Sequence, residues 1–204
     1  MALLLIRHGE TALNAARVLQ PADTCLSARG VEQAEALARR LASMGVAAII
    51  SSDLPRALRT AAAIATATGA PIETSALLQE RNYGDWRGRP YDGLEADPLT
   101  MQEAPPGGES AAAFAQRVAR AFAHLVQRHS TVRGNLAIVT HGLVIRALLA
   151  THTRLLEGMP PRTHLSNTGL SIVEAQPPHR ATLLNCTRHL EPATRDAAGA
   201  LSGG

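Results

Sequence analysis

The sequence contains short, continuous runs of apolar residues that are separated by segments with helical periodicity. The clearest runs are residues 2–6, 46–50 and 136–139. An unbroken apolar run of this length is typical of a strand that is buried on both faces, as in parallel sheets covered by helices. The alternation therefore predicts an α/β fold, specifically a three-layer α/β/α sandwich with a mostly parallel central sheet.

The segments between and after these runs complete the predicted organisation. Ser27 is expected to cap a helix that ends near residue 44, Ser52 or Asp53 to cap a second, and Ser110 to start a third. Residues 169–173 and 181–185 are predicted to pair as a hairpin. The chain of 204 residues is thus interpreted as a single domain over residues 1–191, followed by a small, polar, disordered tail over residues 192–204.

Residues 80–108 interrupt the regular pattern. This stretch holds four prolines and five glycines and has no sustained period. Long irregular segments inside compact domains are usually functional lids or disordered insertions. We therefore predict an irregular insertion or lid here.

Composition excludes several classes of protein. All twenty basic residues are arginine, so chemistry that needs a lysine, such as a Schiff base or a P-loop, is excluded. The net charge of +3 comes from scattered arginines with only five aromatic residues, which argues against a nucleic-acid partner. The longest stretch without a charged residue, 60–72, is too short to cross a membrane. Cys25 and Cys186 are interpreted as isolated thiols, so a cytoplasmic protein is expected.

Three predicted strands end in residues that suit an anion. Arg7 and His8 follow the first strand, Arg56 lies in the first turn of the helix after the second, and His141 follows the strand at 136–139. In open α/β sheets, ligands bind beyond the carboxyl ends of the strands. Alone, Arg7 and His8 fit a salt bridge beside a packed histidine better than an anion site, because structural ion pairs are common, but the convergence of three strand ends favours an anion site. Asn14 follows within reach.

Several blocks of sequence carry a resemblance to a known family. They are RHGETxxN from Arg7, SSxLxRAxxTA from Ser51, LQERNYGDWRG from Leu78, PGGES from Pro106 and THG from Thr140. In this order they resemble the histidine phosphatase superfamily, in its phosphoglycerate mutase-like branch (branch 1), from residue 3 to about residue 186. The stretch from Arg17 to Asp23 follows the family pattern only loosely, with Pro21 where a glycine is usual.

The resemblance implies a role for each site residue. His8 is expected to be the nucleophile that forms a phosphohistidine, and Glu80 to be the general acid and base. The expected donors to the phosphoryl oxygens are Arg7, Arg56, His141, Asn14 and the N–H of Gly142. Arg81 and Tyr83 are candidates for contacting the rest of the substrate, while a salt bridge from Glu80 to Arg81 or Arg87 is the structural alternative. Neither a metal nor a cofactor is expected.

The resemblance therefore implies a phosphatase that hydrolyses a small phosphorylated metabolite. One alternative is a phosphoglycerate mutase, although the chain lacks room for the longer insertion with paired arginines that mutases carry, and Trp86 matches phosphatases. A second alternative is a non-catalytic phosphate- or phosphoprotein-binding module, which would be expected to lose His8 or Glu80. The sequence leaves the oligomeric state open, a homodimer included.

Overall fold

A computed structural model describes residues 1–94, 96–155 and 164–190 of the chain. The strands in these ranges are β1 (Ala2–Arg7), β2 (Val46–Ser51), β3 (Ile72–Thr74), β4 (Asn135–Thr140), β5 (Arg154–Leu155), β6 (Leu170–Glu174) and β7 (Arg180–Cys186). The helices are α1 (Ala12–Ala15), α2 (Ala28–Leu41), α3 (Pro55–Thr68), α4 (Ala111–Ser130) and α5 (Gly142–His152). The tail predicted from residue 192 lies outside the described residues.

The described strands form one mixed, mostly parallel sheet in the order β3-β2-β4-β1-β6-β7-β5. Strands β3, β2, β4 and β1 pair in parallel, whereas β6 runs antiparallel to both β1 and β7. Because β6 is reversed, its first residues lie at the same edge as the carboxyl end of β1. This edge therefore collects residues from both kinds of strand.

Helices cover the two faces of the sheet, which gives the predicted three layers. Alternate residues of β1 point to opposite faces, so Leu4 and Ile6 pack with α2 and α3 while Leu3 and Leu5 pack with α4 and α5. All four of these β1 side chains are almost completely buried. None of the helices in the described ranges is long and apolar enough to cross a membrane.

The sequence predictions for the main elements are confirmed, with four differences. Ser27 and Ser110 do cap α2 and α4 through their hydroxyl groups, and β6 and β7 do pair as a hairpin. The prediction that Ser52 or Asp53 caps α3 is wrong, because Leu54 occupies the N-cap position without a side-chain bond. The other differences are β3, β5 and α1, which the sequence analysis missed because they are only three, two and four residues long.

A close contact between two glycine backbones fixes the loop after β1 against α2. A methyl group added at Gly9 would lie 2.4 Å from the carbonyl oxygen of Gly30, and one added at Gly30 would lie 2.0 Å from the carbonyl oxygen of Glu10. Both distances are far below van der Waals contact. The loop that follows β1 can therefore approach the first turn of α2 this closely only because both positions are glycine.

We predict that Gly30→Ala destabilises the protein, although alanine is the better helix former. Replacing a helical glycine by alanine ordinarily stabilises by about 1 kcal/mol, but here backbone would have to move, at a net cost of about 1–3 kcal/mol. The matched control is Gly93→Ala, because a methyl group there meets no atom within 4 Å. Chemical denaturation measures both variants, and a Gly30→Ala protein as stable as Gly93→Ala would contradict the close contact.

Candidate active site

The carboxyl ends of β1, β2 and β4 bring the predicted anion-binding residues together. Arg7 ends β1 and His8 follows it, His141 follows β4, and Arg56 is the second residue of α3. These four side chains are all buried, with at most 1% of their surface exposed. The rings of His8 and His141 lie 5.1 Å apart between centroids. The convergence expected at this sheet edge is therefore present.

A hydrogen bond to backbone fixes the tautomer of His8. Its Nδ1 lies 2.7 Å from the carbonyl oxygen of Gly9. A carbonyl oxygen only accepts, so Nδ1 must carry the proton and Nε2 must carry the lone pair when the ring is neutral. Nε2 is buried and has no hydrogen-bond partner among the described residues. The ring thus holds an unused lone pair at the centre of the site.

The surroundings of His8 keep the imidazole neutral. Burial lowers its pKa well below the usual value of 6.5, and the positive charges of Arg56 and Arg7 lower the pKa further. The pKa of His141 is lowered in the same way, by burial first and then by Arg56. Both rings are therefore uncharged at neutral pH, which leaves the nucleophilic lone pair of His8 available.

His141 is oriented by a serine that the sequence analysis placed in a different role. Its Nε2 lies 2.9 Å from the hydroxyl oxygen of Ser52, and that oxygen also accepts a hydrogen bond from the N–H of Leu54 at 3.3 Å. Ser52 is completely buried, and Nε2 of His141 is the one acceptor found for its hydroxyl proton among the described residues, so the hydroxyl donates to Nε2 and the proton of the neutral ring sits on Nδ1. This Nδ1 is buried without a partner among the described residues, so it is a donor held ready for an anion.

The two arginines are held by neutral backbone acceptors. Arg7 donates to the carbonyl oxygen of Leu165 at 2.6 Å, and Arg56 donates to that of Pro21 at 3.3 Å. Burial lowers the pKa of Arg56 to about 10, against a smaller opposing effect of Glu80, so its guanidinium stays charged at neutral pH. Thr60 ties this helix to the loop after β1, because its hydroxyl donates to the carbonyl of Arg56 and accepts from the N–H of Gly9.

Glu80 is buried at the same edge and is held by backbone on both of its oxygens. One oxygen accepts from the N–H of Arg81 and the other from the N–H of Leu143, each at 3.1 Å. Leu143 is the second residue of α5, so the carboxylate lies at the N-terminus of that helix, directly after His141. Within the described part of the chain, no ion pair joins Glu80 to Arg81 or Arg87.

An arginine on α4 fixes the backbone that carries Glu80. Arg117 donates to the carbonyl oxygens of Leu77, Gln79 and Glu80 at 2.9, 2.7 and 3.4 Å. It also forms an ion pair with Glu109, whose carboxylate accepts a hydrogen bond from the N–H of Asn82. Glu109 is thus occupied in supporting the loop. Glu80 is the carboxylate that this framework presents to the sheet edge where His8 and His141 lie.

The structure gives Arg81 and Tyr83 a different position from the predicted contact with substrate. The guanidinium of Arg81 donates to the carbonyl oxygens of Met101, Glu103 and Glu109. The hydroxyl of Tyr83 donates to the carbonyl of Pro98 at 2.8 Å, and the ring is buried. Both side chains fasten the segment at 96–109 because they supply donors to carbonyl groups that no strand or helix satisfies.

Asn14 and Gly142 lie at the edges of the site. The side-chain oxygen of Asn14 accepts from the N–H of Thr11, which makes Asn14 part of the capping box of α1. Its side-chain amide nitrogen is therefore the group that would donate the predicted hydrogen bond to a phosphoryl oxygen. Gly142 is the first residue of α5 and is buried beside His141, where a helix N-terminus favours negative charge.

Two polar residues at this edge were missed by the sequence analysis. Asn167 donates to the carbonyl oxygen of His8 at 2.9 Å, and the N–H of Thr168 donates to that of Arg7 at 3.0 Å. Both side chains are completely buried. The antiparallel direction of β6 is the feature that could have identified them, because it places the residues before β6 at the same sheet edge as His8. Among the described residues, no cluster of three His, Cys, Asp or Glu side chains could hold a metal ion.

Comparison with known proteins agrees with this geometry. Residues 3–187 match the family profile described as the histidine phosphatase superfamily (branch 1). The protein named "Probable phosphoglycerate mutase GpmB" from Erwinia tasmaniensis is 34% identical over 182 residues, which cover 84% of this chain and 84% of that protein.

The solved structures that this chain resembles include two phosphatases. The α-ribazole phosphatase from Shigella flexneri has a TM-score of 0.78 and 29% identity, covering 92% of this chain and 97% of that one. A mycobacterial glucosyl-3-phosphoglycerate phosphatase has a TM-score of 0.76 and 28% identity, covering 91% of this chain and 99% of that one. With a family profile that spans nearly its whole length, the chain belongs to the histidine phosphatase superfamily, branch 1.

Proposed function

We propose that the protein is a metal-independent phosphatase that hydrolyses a small phosphate monoester through a phosphohistidine on His8. The observation that carries the proposal is the buried, neutral His8 ring, whose Nδ1–H is bound to the carbonyl of Gly9 while its Nε2 lone pair has no partner in the described chain. The solved phosphatases with the same fold support hydrolysis. We further propose a phosphorylated metabolite as substrate and the cytoplasm as the place of action.

In the first step, the Nε2 lone pair of His8 attacks phosphorus and forms a P–N bond. The ester P–O bond breaks, and the leaving oxygen takes the proton of Glu80. Charge builds up on the three remaining oxygens of the transferred group, and positioned donors supply most of the acceleration in such reactions. Arg7, Arg56 and the Nδ1–H of His141 are those donors.

In the second step, water attacks the phosphohistidine. Glu80, now ionised, accepts a proton from that water, the new P–O bond forms, and the P–N bond breaks with its electron pair returning to Nε2 of His8. Inorganic phosphate leaves, and both residues regain their starting protonation. His8 needs no further proton movement, because its Nδ1–H stays bound to the carbonyl of Gly9 throughout.

A phosphoglycerate mutase is the second candidate, and the name of the Erwinia tasmaniensis relative favours it. A mutase must keep its phosphohistidine from water and return the phosphoryl group to a bound phosphoglycerate. The two functions share the first step and differ in the second. The fate of the phosphohistidine therefore distinguishes them.

We expect purified protein to release phosphate from p-nitrophenyl phosphate and from a panel of phosphate esters in excess EDTA. An acid-labile, labelled phosphoenzyme should be trapped on rapid quenching, and His8→Ala should abolish it. His141→Ala is the matched variant, since it keeps the nucleophile but loses one donor, at a cost of about 10²-fold in rate.

Three outcomes would contradict this proposal. Activity that is lost in EDTA and restored by Mg²⁺ or Zn²⁺ would exclude the metal-free mechanism. A labelled phosphoenzyme in His8→Ala would assign the nucleophile to another residue. Isomerisation of phosphoglycerate that greatly exceeds phosphate release, and that a trace of bisphosphoglycerate accelerates, would establish the mutase.

Glu80→Gln should reduce the rate in proportion to the leaving group's need for a proton. We expect a loss of about 10²–10⁴-fold on an alkyl phosphate, whose alkoxide is a poor leaving group, and a much smaller loss on p-nitrophenyl phosphate. Rapid-quench measurement of phosphoenzyme formation tests this. Both Glu80 oxygens accept backbone N–H groups, so the side-chain nitrogen of the glutamine would face an N–H group and lose that hydrogen bond. Equal losses on both substrates would show that Glu80 only supports the structure.

Ser52→Ala should lower kcat roughly tenfold with little change in KM, because the freed His141 ring no longer holds its Nδ1–H toward the transition state. The matched control is Ser51→Ala. Ser51 is also fully buried, but its hydroxyl donates to the carbonyl of Ser52 and does not contact His141. Steady-state kinetics of the two variants check the prediction, which fails if both lose the same activity.

A further inference from the structure

A strained turn contacts the backbone of His8, the proposed nucleophile. Thr168 has a φ of 53°, a left-handed conformation that is a genuine outlier for a β-branched residue. From this position its N–H points at the carbonyl oxygens of Arg7 and His8, at 3.0 and 3.3 Å. The neighbouring Asn167 amide reaches the same His8 carbonyl. The turn therefore holds the backbone of Arg7 and His8 through hydrogen bonds to their carbonyl oxygens.

A histidine from the far end of the described chain contacts this turn. Nε2 of His189 lies 3.0 Å from the hydroxyl oxygen of Thr168, and its Nδ1 lies 3.4 Å from Nη1 of Arg40 on α2. Arg40 can only donate, so Nδ1 of His189 accepts, and the proton of the neutral ring is on Nε2.

The bonding of Thr168 agrees with this assignment. Its hydroxyl proton is donated to the carbonyl oxygen of Asn167 at 2.7 Å, so toward His189 the hydroxyl can only accept. Burial first and the charge of Arg40 second lower the pKa of His189 to about 4. The ring is therefore neutral at pH 7. Arg40 donates to Nδ1 of His189, and the Nε2–H of His189 donates to the hydroxyl of Thr168.

We propose that His189 is a positioning residue that holds the Thr168 turn, and through it the carbonyl of His8, so that the nucleophile keeps its alignment with the phosphate. The relay runs from Arg40 to His189, then to Thr168, and ends on the backbone of His8. In the proposed mechanism His8 attacks the substrate, whereas Arg40, His189 and Thr168 act only through hydrogen bonds to one another and to the His8 backbone. The inference rests on the proposed function only for its kinetic readout.

The geometry gives the relay a task that ordinary packing does not perform. A left-handed threonine is strained and persists only where its surroundings determine it. Here the Nε2–H of His189 donates to the hydroxyl oxygen of Thr168 and so keeps the hydroxyl proton directed at the carbonyl of Asn167. Without that donor, the turn can relax toward ordinary dihedral angles, and the His8 carbonyl loses its two partners. A small displacement of a nucleophile is enough to reduce the rate by about 10²-fold.

Two nearly isosteric substitutions separate the relay from simple packing. In His189→Gln, the amide nitrogen takes the place of Nε2 and still donates to Thr168. In His189→Asn, the amide oxygen takes the place of Nδ1 and still accepts from Arg40, but the side chain is too short to reach Thr168. We expect His189→Gln to keep kcat within about threefold, and His189→Asn to lose about 10- to 100-fold in kcat with KM nearly unchanged.

The loss should be the same on p-nitrophenyl phosphate and on an alkyl phosphate, because alignment of the nucleophile does not depend on the leaving group. The control is His179→Gln. His179 is a half-buried histidine at the opposite end of β6, bonded to the carbonyl of Glu174, and its replacement should leave kcat unchanged. Thermal unfolding of every variant shows which fraction is folded at the assay temperature.

A readout without substrate keeps this test separate from the proposed function. In ¹⁵N NMR of histidine-labelled protein at pH 7, His8 should appear as the Nδ1–H tautomer and His189 as the Nε2–H tautomer. His189→Asn should shift or broaden the His8 signals, and His189→Gln should not. Unchanged His8 signals together with unchanged kcat in His189→Asn would overturn the positioning role. Wild-type protein that forms no phosphoenzyme would overturn the proposed function instead.

Discussion

The geometry of the candidate site depends on one hydrogen bond, from Nδ1–H of His8 to the carbonyl oxygen of Gly9. This bond decides which ring nitrogen keeps its lone pair, and its acceptor is a backbone group of the loop directly after β1. That loop lies against the first turn of α2, so closely that a side chain at Gly9 or Gly30 would overlap with carbonyl oxygens. The position of the lone pair of His8 thus depends on backbone packing that these two glycines permit.

The arginines act on the histidines as well as on the expected phosphate. Arg7 and Arg56 each donate a hydrogen bond to a backbone carbonyl, of Leu165 and Pro21 respectively, and a carbonyl is a neutral acceptor. The positive charges of both guanidiniums lower the pKa of both buried imidazoles, which keeps the proposed nucleophile neutral, and the same charges suit the dianion that we propose as ligand. A carboxylate in place of either carbonyl would weaken both effects.

The sequence predicted those parts of the site that follow from parallel strands. Arg7, His8, Arg56 and His141 lie where the rule for strand ends expects them, because the direction of a buried strand fixes its last residues. Side-chain direction in the irregular segment could not be read in this way. Arg81 was a candidate for contacting the substrate on the basis of the family resemblance, and its guanidinium donates to backbone carbonyls.

Other residues required the strand order, which no single segment contains. Asn167 and Thr168 precede β6, and only the antiparallel pairing of β6 with β1 brings them to His8. His189 is more remote still, because it meets Thr168 only after β7 has paired beside β6. Ser52 was interpreted as a helix cap from its place before Pro55. Its hydroxyl does accept one nearby N–H, from Leu54, but the N-cap position falls on Leu54 and the hydroxyl's other partner is His141.

Glu80 raises a different physical problem, because the proposed general acid must be as well fixed as the proposed nucleophile although it lies in an irregular segment. Apart from two short 3₁₀ helices, the described residues of this segment form no strand or helix ladder, so their backbone carbonyls need donors from side chains. Arg117 and Arg81 together supply six such bonds across this segment. A planar guanidinium carries five N–H groups and reaches several carbonyls at once, whereas an ammonium group is a compact point charge. In a chain without lysine, arginine therefore replaces secondary structure around Glu80 and also supplies the positive charge of the proposed anion site.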